Sequence, residues 1–292
     1  MTTELDVKAA LKSKYGLNYQ IDYVFLAHKS IGFTGKRVLE VGGSLPEGVV
    51  FDALEADQWI GVQEPGYWDE FTSLDDAATQ AVDRKLIPIG ELEDPDALAK
   101  RDILLGGIEE LPTCLDGYFD AIFSIATFEH ILDLPAGLEA MYRALKPGGR
   151  LFSMFSPIWS SFNGHHLHGI TDKSGRTFWF NDSPIPPWGH LLMTPDKMTG
   201  FMKQHTDDET AVEITDRIYN STAINRLFTE DYLEFFDLEF FDKCPFQIDM
   251  CMPMFEHPIA AETQAELERR HPGRKLFNNG GITVVMTRPA DA

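Results

Sequence analysis

The sequence predicts an α/β protein built on a mostly parallel sheet with helices on both faces. Two observations carry this. Short apolar runs alternate with helix-like stretches at the spacing of successive strand–helix units. The segment Arg37-Val38-Leu39-Glu40-Val41-Gly42-Gly43 is an apolar run ending in an acid and a glycine pair, the pattern of a buried strand that opens into a tight turn.

In chain order, residues 4–15 have helical patterning and Gly16 supplies a stop. Strands are predicted at 37–42, 58–63, 102–105, 119–125 and 150–156. Helices are expected at 46–56, with Pro46 in the first turn, then at 69–85, 94–100 and 136–146, the last ending at Pro147-Gly148-Gly149. The rhythm then breaks. Residues 157–194, rich in Ser, Gly, His, Trp and Pro, read as one long loop, a length usual for lids and binding loops. Helices return at 195–204, 208–219, 229–236 and 260–270, with strands near 238–242 and at 282–288, the last entered through Gly280-Gly281.

Composition narrows the function classes. The chain has 292 residues, 43% hydrophobic and 24% charged, as expected of a globular protein with a substantial core. Its net charge of −21, from 46 acids and 25 bases, repels phosphate backbones, and no basic cluster offsets it, so no nucleic-acid partner is expected. No apolar run approaches the roughly 20 residues of a membrane span, and the first residues lack an apolar leader, so a cytoplasmic location without a membrane partner is expected. Cys114, Cys244 and Cys251 are too few and too far apart for a disulfide framework or a zinc site and read as free thiols. Oligomeric state is not readable.

The glycine turn after the first strand faces the crevice where open α/β sheets bind ligands. Its glycines, Gly42, Gly43 and then Gly48, do not have the G-x-G-x-x-G spacing of a nicotinamide or flavin site, and no Lys-Ser/Thr follows as in a P-loop. What remains is Glu40, two residues before the first glycine, able to face a positively charged ligand across the turn.

Val38-Leu39-Glu40-Val41-Gly42-Gly43 resembles motif I of the class I S-adenosylmethionine-dependent methyltransferases. Three further segments match in order: Gly106-Gly107-Ile108-Glu109-Glu110-Leu111-Pro112, Phe119-Asp120-Ala121-Ile122 with Phe128-Glu129-His130, and Arg143-Ala144-Leu145-Lys146-Pro147-Gly148-Gly149-Arg150-Leu151. The resemblance covers about residues 35–156 and is to the type 11 group, which includes small-molecule and quinone-precursor methyltransferases. It implies a Rossmann-like seven-stranded, mostly parallel sheet with an antiparallel edge strand, a place that 282–288 would fill, plus an inserted lid or substrate-binding region. One domain over 1–292 is expected: a helical lid at 1–34, a cofactor-binding core at 35–156, a substrate-binding insertion at 157–225, and the C-terminal strands and helix at 226–292.

The resemblance implies S-adenosyl-L-methionine as the cofactor. Glu40, Gly42 and Gly43 would border its methionine moiety. Glu64 would accept hydrogen bonds from both ribose hydroxyls, with Gln63 the alternative one residue earlier. Ile108 and Glu109 would lie near the adenine, and the backbone of Ile125 and Ala126 near the ammonium. The sequence departs from the family where Ser44-Leu45-Pro46 replaces a third glycine, and where Gly107 replaces an acid beside the adenine.

Methyl transfer from a sulfonium needs proximity and orientation above all, and a hydroxyl or ammonium acceptor must also lose a proton. His165, His166 and His168 cluster in the loop after the fifth predicted strand, and in extended chain His165 faces opposite to the other two. His165 or His166 is the candidate general base, and His130 a candidate contact to the acceptor. Trp159, Phe162, Trp188 and His190 are the candidate walls of the acceptor pocket. The same histidines also suit a solvated polar loop. His166, His168 and His190 could ligate a metal, but no cysteine or carboxylate accompanies them at a diagnostic spacing, so no metal is expected. Tyr15, Tyr19 and Tyr23 suit either a lid over the cofactor or packing. The expectation is O-methylation of a small molecule; N- or S-methylation and a catalytically silent cofactor-binding scaffold are the alternatives.

Overall fold

The computed structural model describes residues 3–43, 45–64, 85–236 and 246–290. Helix α1 (Glu4–Tyr15) starts at a reciprocal cap between Thr3 and Asp6 and stops at Gly16, whose φ of 66° favours glycine. Helix α2 (Tyr19–Ile31) turns Ile21, Val24, Phe25, Ala27 and Ile31 inward. Lys8 and Lys12 of α1 pair with Asp22 of α2 at 3.4 and 2.5 Å, tying the outer helix to the inner one.

The sheet is built from β1 (Arg37–Val41), β2 (Gln58–Gln63), β3 (Lys85–Pro88), β4 (Asp102–Leu105), β5 (Phe119–Ile125), β6 (Leu145–Phe155), β9 (Gln247–Met254) and β10 (Gly281–Thr287), in the spatial order β3-β4-β2-β1-β5-β6-β10-β9. Strands β1 to β6 of this set run parallel. The strand order reverses beside β1, with β2 on one side and β5 on the other, and the crevice opens at the carboxyl end of that pair. A separate two-residue hairpin pairs β7 (Ile170–Thr171) with β8 (Thr177–Phe178).

The alternation of β1 distributes its side chains between two cores. Leu39 and Val41 join the cluster that holds Leu138 and Met141 of α3 (Leu134–Ala144), while Val38 joins the α2 side with Phe33, Trp59 and Phe123. Helix α3 is capped by Asp133, whose carboxylate accepts from the Ala136 amide, and it runs straight into β6. The guanidinium of Arg288, just beyond β10, donates to the carbonyls of Tyr142, Arg143 and Leu145, clamping that junction.

A third core lies beyond the sheet. Trp159, Leu167, Ile170, Phe178, Trp188 and Leu191 of the long loop pack on Met198 and Met202 of α5 (Pro195–Met202), Ile214 and Ile218 of α6 (Asp208–Asn220), and Leu267 of α8 (Ala261–Arg270). One helical turn, α4 (Gly189–Leu192), interrupts the loop, and α7 (Thr229–Phe235) leads back toward the sheet.

The α/β class and the mostly parallel sheet are as expected, with differences at the margins. The sheet has eight strands among the described residues, not seven. The antiparallel strand is β10, and it is not at the edge: it lies between β6 and β9, antiparallel to both. Its core residues explain this, because Ile282 and Val284 face one cluster and Val285 the other, as an interior strand requires. The edge belongs to β9, whose side chains are half-buried or exposed. The predicted 46–56 helix is reduced to a widely wound turn at Gly48–Ala53, and 94–100 to a single turn at Pro95–Ala97. The predicted 69–85 helix lies, apart from Lys85, outside the described residues, as do the 238–242 strand and Cys244. Lys85 opens β3. Cys114 and Cys251 are free thiols. Among the described residues, no helix is long and apolar enough to cross a membrane.

Candidate active site

A cavity of about 460 Å³ opens at the carboxyl ends of β1, β2, β4 and β5, within the range of about 300–1,000 Å³ usual for small-ligand sites. Glu40, Gly42, Gly43, Glu64, Ile108, Glu109, Ile125 and Ala126, the residues expected to hold a cofactor, all line it. They come from four separate strand ends, which the sheet order brings side by side.

The turn after β1 is shaped from beneath. Glu40 is 2% exposed, on the α2 side of the sheet. Its Oε2 accepts from the Trp59 indole at 2.5 Å and from the Leu45 amide at 2.9 Å, while Oε1 lies against Gly43, where a Cβ would come within 2.6 Å. The carboxylate therefore holds the turn closed as well as bordering the cavity. Gly42 has φ of 86°, and a Cβ there would fall 2.0 Å from Thr127 Oγ1. Only glycine lets this strand end pass beneath the Thr127 side chain.

Glu64 follows β2 with Gln63 beside it, and both line the cavity. Burial raises the Glu64 carboxyl above its ordinary value, with Glu109 and Glu110 adding to the effect. At the end of β5 the chain bends through Ala126 at φ 50°, with its amide bonded to the Met154 carbonyl at 2.7 Å. That bend leads into the tight turn carrying Glu129 and His130. Asn225 secures it: its side-chain amide donates to the carbonyls of Phe128 and Ile131, and its backbone amide to that of Glu129.

Three imidazoles, His130, His166 and His168, line the far end of the cavity with Phe180 and Glu129. The His130 and His166 rings meet edge to face at 4.8 Å, and Phe180 stacks on both His166 and His168. His130 Nδ1 bonds the Ala223 carbonyl. Burial brings its pKa down to about 4, against the effect of that carbonyl. Burial also holds His166 well below its ordinary value, helped by His130, His168 and His165. Both rings are thus neutral near pH 7. Glu129 is fully buried; its Oε1 accepts from the Ser156 amide at 3.1 Å, and burial pushes its pKa up to about 8.

The remaining expected residues lie elsewhere. His165 faces away from His166, and its Nδ1 accepts from the Leu167 amide at 3.2 Å beside the His190 ring. His190 Nε2 bonds the Trp159 carbonyl at 2.7 Å, and Trp188 Nε1 donates to the Phe277 carbonyl at 2.9 Å. Phe162 stacks on His257 at 4.1 Å. None of His165, Trp159, Phe162, Trp188 and His190 lines the cavity. The physical reason is that the long loop needs a core of its own: Trp159 and Trp188 belong to it and Phe162 packs against it, while His165 and His190 bond the loop's own backbone. Of the three tyrosines, Tyr19 lines the cavity, while Tyr15 and Tyr23 pack at the border of the α2-side core.

Sequence reasoning did not single out Thr127 or Phe180, and it weighed the Glu129-His130 turn as one near the transferred methyl without giving Glu129 a role of its own. Phe180 sits in the run Phe178-Trp179-Phe180, which signals an aromatic surface but not which way it faces. Glu129 was visible beside His130, yet only the fold shows the loop carrying His166 folding back over it.

Residues 74–153 match a family model described as a methyltransferase domain, of type 11. Three proteins of Xanthomonas oryzae pv. oryzae, each named ubiquinone biosynthesis O-methyltransferase, are 28% identical to this chain over 148 residues, 50% of this chain and 53% of theirs. The chain thus spans about half the length of the curated relatives it matches. Among solved structures, an S-adenosylmethionine-dependent methyltransferase from Mesorhizobium loti aligns with a TM-score of 0.47 at 14% identity, over 91% of this chain and 97% of that one. Haemonchus contortus phosphoethanolamine N-methyltransferase 2 in complex with S-adenosyl-L-methionine aligns at 0.43 and 16% identity, over 97% of this chain and 52% of that one.

Proposed function

We propose that the chain is a class I methyltransferase of type 11 with S-adenosyl-L-methionine as its cofactor, and that it transfers a methyl group to a hydroxyl of a small molecule. One observation carries the reading: a single cavity joins the strand ends that suit the donor to a wall of histidines that suits the acceptor.

The donor end fits the cofactor by its chemistry. Glu64 offers two acceptor oxygens for a pair of ribose hydroxyls, with Gln63 at the adjacent position. Gly42 and Gly43 let the backbone approach closely, and the bend at Ala126 lines the same cavity. When bound, the cofactor supplies an electrophilic methyl group on a positively charged sulfur. The protein's part is to position, to exclude water and to manage a proton. Ile108, Ile125 and Ile131 give the cavity apolar flanks.

At the acceptor end, His166 takes the base role that the sequence shared between His165 and His166, because it is the one of that pair lining the cavity. His130 and Phe180 hold its ring from two sides. Its φ of 47°, rarely adopted outside glycine, turns the ring inward at a backbone cost of roughly 1–3 kcal/mol. We assign residues 157–225 to acceptor recognition and the N-terminal helices, through Tyr19, to covering the donor.

The test has two arms. Calorimetric titration with S-adenosylhomocysteine measures the donor site, and mass spectrometry of acceptor mixtures incubated with cofactor seeks a gain of one methylene. His166→Ala should then lower kcat by about 100-fold or more and leave S-adenosylhomocysteine affinity within about twofold, while His165→Ala keeps turnover. Undiminished turnover in His166→Ala sinks the base assignment, and no binding of S-adenosylhomocysteine sinks the donor site.

A further inference from the structure

We propose that Glu129, His130 and His166 together hold a divalent transition-metal cation of the zinc class at the acceptor end of the cavity, leaving coordination positions open to the methyl acceptor's oxygen. The inference rests on the methyl-transfer reading for what the cation does, though not for whether it binds.

Each of the three side chains offers one ligand atom, and these atoms lie within 4.8 Å of one another. Donors bound at about 2.0–2.2 Å stand roughly 3.3–3.6 Å apart around a tetrahedral ion, so a pair at the 4.8 Å limit closes by about 1.2–1.5 Å to complete the set. Two imidazoles and a carboxylate are a donor set that zinc and its neighbours use where a coordination position stays open to water or substrate.

Two buried polar atoms at this place lack hydrogen-bond partners. Glu129 is 0% exposed and its Oε2 has none, although Oε1 is anchored by the Ser156 amide. His166 is 8% exposed and its Nδ1 has none. An unsatisfied buried polar atom costs about 1–3 kcal/mol, and a shared cation would satisfy both. His130 is oriented as a metal-binding histidine usually is: Nδ1–H donates to the Ala223 carbonyl, which fixes the tautomer with the lone pair on Nε2. The left-handed backbone of His166 is a further constraint spent on ring direction. The chain's net charge of −21 also favours the approach of a dication.

Sequence reasoning set a metal aside because no carboxylate accompanied the loop histidines at a diagnostic spacing. The carboxylate comes from another element: Glu129 follows β5, His166 lies in the loop after β6, and the two strands are neighbours.

An imidazole that ligates has no lone pair left to take a proton, so with a cation bound His166 would act as a ligand in place of the general base, and the cation would instead lower the pKa of a ligated hydroxyl. The acceptor's O–H proton leaves to solvent, its oxygen lone pair forms the new O–CH3 bond, and the S–CH3 bond breaks with its electron pair staying on sulfur. No oxidant or reductant takes part.

The test uses the full chain, stripped with a chelator and titrated with zinc chloride and, separately, cobalt chloride. We expect one equivalent per chain, visible d–d bands from the cobalt form, and zinc-edge X-ray absorption showing two imidazole nitrogens in the first shell. Glu129→Gln and His166→Asn should each weaken zinc binding at least about tenfold, as even outer-shell changes at metal sites do; His205→Ala, at an exposed histidine, should not. Failure of the wild-type protein to bind either ion overturns the proposal, as does a zinc edge without imidazole nitrogens or undiminished binding in the Glu129→Gln/His166→Asn pair. Wild-type zinc-edge spectra decide the matter even if a variant misfolds. The same stripped samples are titrated with S-adenosylhomocysteine. Homocysteine-analogue binding without metal binding overturns the cation alone, whereas metal binding without it overturns the methyl-transfer reading instead.

Discussion

Replacing Trp59 by phenylalanine tests whether the turn beneath the donor is held from behind by Glu40. Both residues are buried, Trp59 at 1% exposure and Glu40 at 2%, so water does not take over the lost hydrogen bond freely. A hydrogen bond to a charged partner contributes about 1.5–3 kcal/mol. The smaller ring also loses apolar contact with Phe33 and Phe123, on the order of 1 kcal/mol. The sum, about 3 kcal/mol, corresponds to a fall in Tm of roughly 4–7 °C for a chain of this size. Urea denaturation and thermal scans give the stability change, and calorimetry with S-adenosylhomocysteine gives the change at the site. Donor affinity should fall as well, because Gly43 rests against the other oxygen of the same carboxylate. A variant within about 1 kcal/mol of wild type and with unchanged donor affinity would refute the claim that Glu40 braces the turn through Trp59.

Two further perturbations probe the donor end. Because burial and the neighbouring Glu109 and Glu110 raise the Glu64 carboxyl, donor affinity should, on the proposal that the ribose hydroxyls bind its ionised form, be full above that raised value and fall as pH drops through it. The loss should begin above pH 4.5, the ordinary value for glutamate, with a slope of at most about tenfold per pH unit for one proton; Glu64→Gln should abolish the slope, and an identical pH profile in that variant would remove Glu64 from the site. Gly42→Ala should destabilise by at least about 1–2 kcal/mol from its left-handed backbone alone, plus the collision with Thr127, and Gly42→Ala/Thr127→Gly should recover only the collision part; a single variant indistinguishable from wild type in urea would contradict the close passage.

The fold was legible where one physical signal dominated. Parallel central strands are buried on both faces, so Phe119–Ile125 and Gln58–Gln63 stand out as apolar runs whose bounds the structure repeats. The strands that escaped notice lack that signal: β3 ends in Pro88 and starts at an exposed Lys85, and β9 carries Asp249 and Pro253 among half-buried residues. The strand-end lining of the cavity was legible for a local reason, since a glycine turn and an acid at a strand end are contiguous in sequence. In the long loop, tryptophans are equally suited to walling a pocket and to filling a core, and nothing in the loop's own sequence says which. Trp159 and Trp188 were needed as core because residues 157–194 must bury something to hold one conformation. The orientation of the histidines was readable from alternation alone, but their convergence with Glu129 required knowing that β5 and β6 are neighbours.

The place of β10 between β6 and β9 has a consequence for the growing chain. During synthesis from the N-terminus, β6 and β9 emerge before the strand that joins them, and each presents unpaired backbone amides and carbonyls until Gly281–Thr287 arrives. The parallel half has one such step of its own, since β4 follows β2 and β3 in the chain and enters between them. The other half closes last, also by insertion, so between translation of Met254 and of Thr287 the edges of β6 and β9 that face β10 have no partner strand.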